Sequence, residues 1–154
     1  MNRRSTEISK VIKEALENVI FVDDFPKTAI DIFMEILQAD ASTRCAGLNA
    51  ASIAVAEAGV PMRDLISCVS VGKIDGKIIL DVGGAEDNFG EVDMAVATMG
   101  KQDKIVLLQV DGIITKHEFA ELLELAKNGC GQIYEKQKEA LLGIYSGDGK
   151  NEKE

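Results

Sequence analysis

The run LISCVSVGKIDGKIILDV, residues 65–82, constrains the fold more than any other part of this chain. Two stretches rich in β-branched and apolar residues flank Asp75-Gly76, a pair that tolerates the positive φ angles of a type I′ turn, so the spacing predicts a tight antiparallel hairpin. DMAVATM (93–99) and KIVLLQV (104–110), joined by GKQD, predict a second hairpin. In TAIDIFMEILQ (28–38), alternation sends Ile30, Ile32, Met34 and Ile36 to one face and Asp31, Phe33, Glu35 and Leu37 to the other, which predicts one more strand.

Helical spacing fills the intervals. Ile8, Val11, Ile12, Ala15, Leu16 and Val19 form an i, i+3, i+4, i+7 stripe over residues 5–19, with Ser5 as the expected N-cap directly after Arg3 and Arg4. CAGLNAASIAVAEAGVP (45–61) has the small residues of a helix packed closely on both sides, stopped by Gly59 and Pro61. Thr115 and Glu118 have capping-box spacing at the head of a last helix running through Phe119, Leu122, Leu123, Ala126, Ile133, Leu141 and Ile144, with a kink or break expected at Gly129 and Gly131. The elements describe an α/β (α+β) chain: one domain over 1–146 and a disordered, polar tail over 147–154.

Composition excludes several classes. No stretch among the 154 residues approaches the roughly 20 apolar positions that span a bilayer, and NRR is followed by no secretory apolar region. Cys45, Cys68 and Cys130 are odd in number and in no CxxC pattern, which argues for buried thiols in a reducing cytoplasm. The net charge of −9 repels polyanions at long range, so nucleic-acid binding requires a local cluster of arginines or a basic partner. His117, the single histidine, sits in the first turn of the last helix with no matching serine or cysteine motif, against a nucleophilic triad, and Met34, Met62, Met94 and Met99 read as packing residues.

Three local patterns carry chemistry. Arg3 and Arg4 precede a helix start, where guanidinium groups and unpaired amides both attract anions; a solvated charge pair is the plainer reading. Ser42, Thr43 and Arg44 lie where a strand hands over to a helix, and their hydroxyls, amides and guanidinium could converge on a phosphate or simply cap the helix. In EDNFGEVD (86–93), a turn-prone DNFG would bring Asp87 back toward Asp93, forming a seat for a divalent cation or an acidic surface turn.

Taken together, RRSTEISKVIKEALE, LQADASTRCAGLNAASIAVAEAGVPMRDL and EDNFGEVDMAVA resemble the RNase PH family, and within it the catalytic RNase PH-like subunits of archaeal exosomes, over nearly all of residues 3–145. The resemblance implies an RNase PH-like fold, a mixed β-sheet packed with helices. It also implies a phosphorolytic 3′-to-5′ exoribonuclease that uses inorganic phosphate as co-substrate on the 3′ end of single-stranded RNA. Arg3 and Arg4 would hold RNA or phosphate, and Ser42, Thr43 and Arg44 would cradle phosphate. Asp87 and Asp93 would be catalytic, binding Mg2+ or Mn2+ while one of them protonates the departing 3′ oxygen. Partners would be a homologous subunit in a hexameric ring and RNA-binding cap proteins, in the cytoplasm. The family commonly has glycine where Ser42 stands, and Ala95 replaces a lysine of the bacterial polynucleotide phosphorylases. Met1 falls about one third of the way along the family pattern, so the leading strands would be missing, and a non-catalytic ring subunit or an inactive fragment are the competing readings.

Overall fold

The computed structural model describes residues 3–100 and 104–146. In chain order these form α1 (Arg3–Glu17), a 3₁₀ turn (Val22–Asp24), α2 (Thr43–Glu57), β1 (Ile66–Ile74), β2 (Lys77–Leu80), α3 (Gly84–Phe89), β3 (Val92–Met99), β4 (Lys104–Gly112) and α4 (Lys116–Ser146). The four strands make one antiparallel sheet in the order β2-β1-β3-β4. The predicted tail at 147–154 and residues 101–103 of the second hairpin lie outside the described residues.

Strand periodicity divides the core into two layers. Cys68, Ala95, Ala97 and Met99 face α1 and α2, packing with Ile12, Leu16, Leu48 and Val55. Val69, Val71, Met94 and Val96 face the other way onto Leu122, Ala126 and Cys130 of α4. The alternation places Asp93 on the α1/α2 side, two residues before Ala95. All three cysteines are free and buried, Met94 and Met99 are core residues, and no helix among the described residues is long and apolar enough to cross a membrane.

Local signals set the element ends. Asp75 and Gly76 both have positive φ (49° and 73°), with Ile74 opposite Lys77, as a type I′ turn requires. At the end of α2, Val60 N bonds Val55 O and Gly59 N bonds Ala56 O with Gly59 at φ 74°, the Schellman arrangement. Thr115 and Glu118 bond reciprocally: Thr115 N donates to Glu118 Oε2 (2.8 Å) and Glu118 N to Thr115 Oγ1 (3.3 Å).

Four expectations need correction. Helix α1 begins at Arg3, so Ser5 lies inside its first turn and is not the N-cap, and both arginines belong to the helix. Residues 28–38 have no regular secondary structure and pair with no strand among the described residues. Of the four side chains that alternation sends to one face, Ile32 and Met34 pack on the core but Ile30 (37% exposed) and Ile36 (49%) do not, while Phe33 (91%) and Leu37 (94%) face solvent. Helix α4 runs unbroken through both glycines, because Gly129 is where it meets the sheet: a Cβ there would lie 2.8 Å from Leu80 Cδ1 and 3.3 Å from Val69 Cγ1. Lastly, the first three residues of DNFG, Asp87 to Phe89, are the end of helix α3 rather than a turn, and Gly90 follows as its C-cap with extended backbone (φ −69°).

Strand β2 pairs only with Val71–Ile74 of β1, and side chains take the place of a strand beside the rest. Ile66 N donates to Ser52 Oγ (2.8 Å), Cys68 N to Asn49 Oδ1 (2.7 Å) and Asn49 Nδ2 to Cys68 O (2.8 Å). From α4, buried Gln137 donates to Ile66 O (2.9 Å) and accepts from Ser67 Oγ (2.8 Å). Each buried backbone group left unpaired would cost about 1–3 kcal/mol, so these polar residues of α2 and α4 fix both helices on the sheet edge.

Candidate functional site

The first turns of α1 and α2, the middle of β1, helix α3 and the start of β3 surround a cavity of about 290 Å³. Arg4, Ser42, Thr43, Arg44, Asp87 and Asp93 all line it, so six of the seven residues singled out in the sequence come together. Arg3, the seventh, is exposed and does not line it. The small side chains of Ser70 and Ala95 form part of the wall and leave the space open. Two roomier hollows, about 570 and 440 Å³, flank the irregular 28–38 segment against α1 and α2 and hold none of these residues except Thr43, and a third, about 400 Å³, is lined by Ser42 alone of them.

Helix α2 opens onto the cavity through a strained backbone. Ala41 (φ 60°) and Ser42 (φ 48°) both adopt the left-handed conformation, which costs a non-glycine residue on the order of 1 kcal/mol. Ser42 is held there by its hydroxyl, which donates to Val82 O (2.7 Å) and shares a 2.5 Å hydrogen bond with Ser70 Oγ. A serine at a position with φ 48° is thus stabilised by contacts a glycine lacks, and its hydroxyl is committed to the fold. Thr43 Oγ1 makes only a long bond to Ala41 O (3.4 Å).

Arg44 is the cation at the centre. Its Nη2 donates to Glu7 Oε1 at 3.2 Å, and its Nε is buried without any hydrogen-bond partner. A buried guanidinium N–H with nothing to bond is costly unless an anion or water meets it. Opposite stands Asp93, whose carboxyl is pushed above its ordinary range by burial, then by the negative charge of Asp87, against the opposing pull of Arg44. Asp111, paired across the sheet with Asp93, adds to the repulsion.

Asp87 reaches the cavity because α3 is pinned at both ends. Gly84 N donates to Asp40 Oδ1 (3.2 Å), tying α3 to the loop that leads into α2. At its other end Gly90 N bonds Glu86 O (2.7 Å) and Glu91 N bonds Lys73 O (2.7 Å). Lys73 also bridges Glu91 and Glu118, both at 2.7 Å. Among the described residues no three histidine, cysteine or carboxylate side chains gather as a metal cage. The Asp87–Asp93 pair nevertheless suits magnesium, which commonly uses one or two carboxylates and completes its shell with water and substrate phosphate.

Sequence reasoning passed over Glu7 and Asp40. Glu7 stands three residues after Arg4, on the same helical face, a spacing that could have flagged it.

The segment 1–61 matches the family model described as "3' exoribonuclease family, domain 1", and 64–129 matches "3' exoribonuclease family, domain 2". The chain belongs to the RNase PH, or 3′ exoribonuclease, family. Among its relatives, a protein named exosome complex component Rrp41 from Methanopyrus kandleri is 54% identical over 147 residues, covering 96% of this chain and 62% of the relative. Proteins of the same name from Pyrococcus abyssi and Nitrosopumilus maritimus are 56% and 48% identical, covering 94% and 96% of this chain and 58% and 60% of the relatives. The chain therefore spans about 60% of the length of the curated relatives it matches. The crystal structure of rice Rrp46 superposes with a TM-score of 0.85 over 92% of this chain and 68% of that one, at 17% identity, and shows that the RNase PH-like fold is shared.

Proposed function

We propose that this chain is the catalytic part of a phosphorolytic 3′-to-5′ exoribonuclease of an exosome-like ring. An oxygen of inorganic phosphate attacks the phosphorus of the last phosphodiester of RNA, the bond from that phosphorus to the 3′ oxygen of the preceding nucleotide breaks, and a nucleoside diphosphate leaves. The observation that carries this reading is the gathering of Arg4, Arg44, Asp87 and Asp93 around one cavity of about 290 Å³.

Arg44 binds the attacking phosphate, since it lines the cavity with its guanidinium held, among the described residues, by a single hydrogen bond, to Glu7, and the head of α2 adds amides beside it. Thr43 flanks it, and Ser42 contributes backbone shape rather than its hydroxyl. Arg4 holds the RNA phosphate, with Arg3, exposed beside it in α1, drawing in the strand. Asp87 and Asp93 are the residues that would hold Mg2+ or Mn2+, and one of them delivers a proton to the departing 3′ oxygen. Bound there, the cation supplies charge neutralisation for the transferring phosphoryl group. The division of labour fits phosphoryl transfer, where positioning and charge dominate.

The excess negative charge of the chain assigns RNA capture to partners: a homologous RNase PH-like subunit completing the ring and cap proteins that bind RNA. A cytoplasmic setting suits the free, buried thiols. To test the reading, 3′-labelled RNA is incubated with magnesium and phosphate and with this chain, alone and mixed with the homologous subunit. Nucleoside diphosphates that vanish when phosphate is omitted support the reaction; nucleoside monophosphates, or no product in either mixture, refute it.

A further inference from the structure

Glu7 is a carboxylate on the wall of a cavity argued to bind anions, which calls for a physical reason. Its Oε1 accepts from Arg44 Nη2 (3.2 Å) and from Gln109 Nε2 (3.3 Å), so it joins the first turns of α1 and α2 to β4. No other hydrogen bond holds the Arg44 guanidinium among the described residues, and its Nε is buried without a partner.

We infer that Glu7 is a positioning residue for Arg44: by taking one Nη2 hydrogen, it fixes the plane of the guanidinium, with Nε packed into the wall, so that the remaining donors face the cavity. The inference rests on the reading of this cavity as the phosphate site. Two consequences of the Glu7 charge oppose each other. Its repulsion of an incoming phosphate is screened, because half of the Glu7 side chain is in water. Its hydrogen bond to Arg44 is a direct contact at 3.2 Å and so is screened less, and the Arg44 side chain is only 20% exposed, so orientation outweighs repulsion. Gln109 holds the same carboxylate oxygen from the far side, which stops Glu7 from following Arg44 if the arginine swings. Arg4, one turn earlier on the same helical face, is brought to the cavity by the same placement of α1.

The experiment measures inorganic phosphate binding to the full chain by calorimetry, together with KM for phosphate and for RNA in the ring complex, for Glu7→Ala, Glu7→Gln, Gln109→Ala and Arg44→Ala. Glu7→Ala is expected to raise the Kd and KM for phosphate about tenfold, the loss of one charge-assisted hydrogen bond, with a smaller effect on kcat and on KM for RNA. Glu7→Gln, which keeps an oxygen acceptor, should restore binding to within about threefold of wild type, and Gln109→Ala should weaken it by about two- to threefold. Tighter phosphate binding by Glu7→Ala would make Glu7 a competitor, and equal behaviour of Glu7→Ala and Glu7→Gln would remove orientation as the cause; either overturns the inference. If Arg44→Ala abolishes binding while Glu7→Ala is silent, only the role of Glu7 fails. If Arg44→Ala is also silent, the phosphate site itself fails.

Discussion

Two clusters of charge sit on the two sides of the α3–β3 corner and are built on opposite principles. In one, Lys73 bridges Glu91 and Glu118 at 2.7 Å each, Glu91 also accepts from Gly76 N, and Glu118 caps α4. Hydrogen bonds to Glu118 and Glu91 raise the Lys73 ammonium beyond its ordinary range, and the bond from Lys73 lowers Glu91 and takes Glu118 down to about 2. In the other, burial and Asp87 push Asp93 upward, and Arg44 keeps a buried Nε unpaired. The first cluster is satisfied by the chain itself; the second leaves a carboxyl raised by its neighbours and a guanidinium N–H without a partner among the described residues. Charges that a fold leaves uncompensated mark where a substrate belongs, whereas compensated ones mark what holds the site in place.

The comparison can be broken by mutation. Arg44→Ala or Asp93→Asn should lower phosphorolysis by about a thousandfold, as measured by nucleoside diphosphate release. Asp93→Asn should leave the melting temperature in chelator equal to or above wild type, because a carboxylate whose folded-state pKa is raised opposes folding once ionised. A marked fall in melting temperature would place Asp93 with the satisfied cluster. Lys73→Met should do the reverse, lowering the melting temperature by several degrees in calorimetry and reducing activity only through displacement of α3. An unchanged melting temperature would show that the trio contributes nothing.

A pH series sharpens the same contrast. Glu118 and Glu91 have lowered pKa values, so the stability they contribute is fully present above the ordinary glutamate value and is lost as pH falls through the folded-state value, about 2 for Glu118. Wild type should therefore lose stability faster than Glu118→Gln between pH 4.5 and 2 in thermal melts. The smallest effect calibrates the rest. Gly131→Ala meets nothing within 4 Å in a helix interior and should stabilise by about 0.5–1 kcal/mol in urea unfolding, whereas Gly129→Ala, crowding Leu80, should gain less.

Features set by a few adjacent residues were legible in the sequence: the Asp75-Gly76 turn, the Gly59 stop and the Thr115–Glu118 cap each need only local geometry. What depends on a distant partner was not. Alternation in 28–38 picked out Ile32 and Met34, which pack on the core, but also Ile30 and Ile36, which are exposed, and it cannot say whether another strand lies alongside. The six-residue helix around Asp87 has little propensity of its own and is held by Asp40 and the Lys73 carbonyl, contacts far away in sequence. In the site, the residue types were visible because arginines, hydroxyls and aspartates in that order are unusual together. Their division of labour was hidden, since the Ser42 hydroxyl is spent on Ser70 and Val82, and Glu7 reads as one more charge on a polar helix face.

The most direct measurement is a titration of inorganic phosphate into the isotopically labelled chain, followed by NMR of its backbone amides and of the Arg44 Nε–H. Saturable shifts at Thr43, Arg44 and Ala95 and of the Arg44 Nε–H resonance, all lost in Arg44→Ala, are the predicted result. Phosphate that leaves these signals unmoved, or binds equally well without Arg44, would contradict the account.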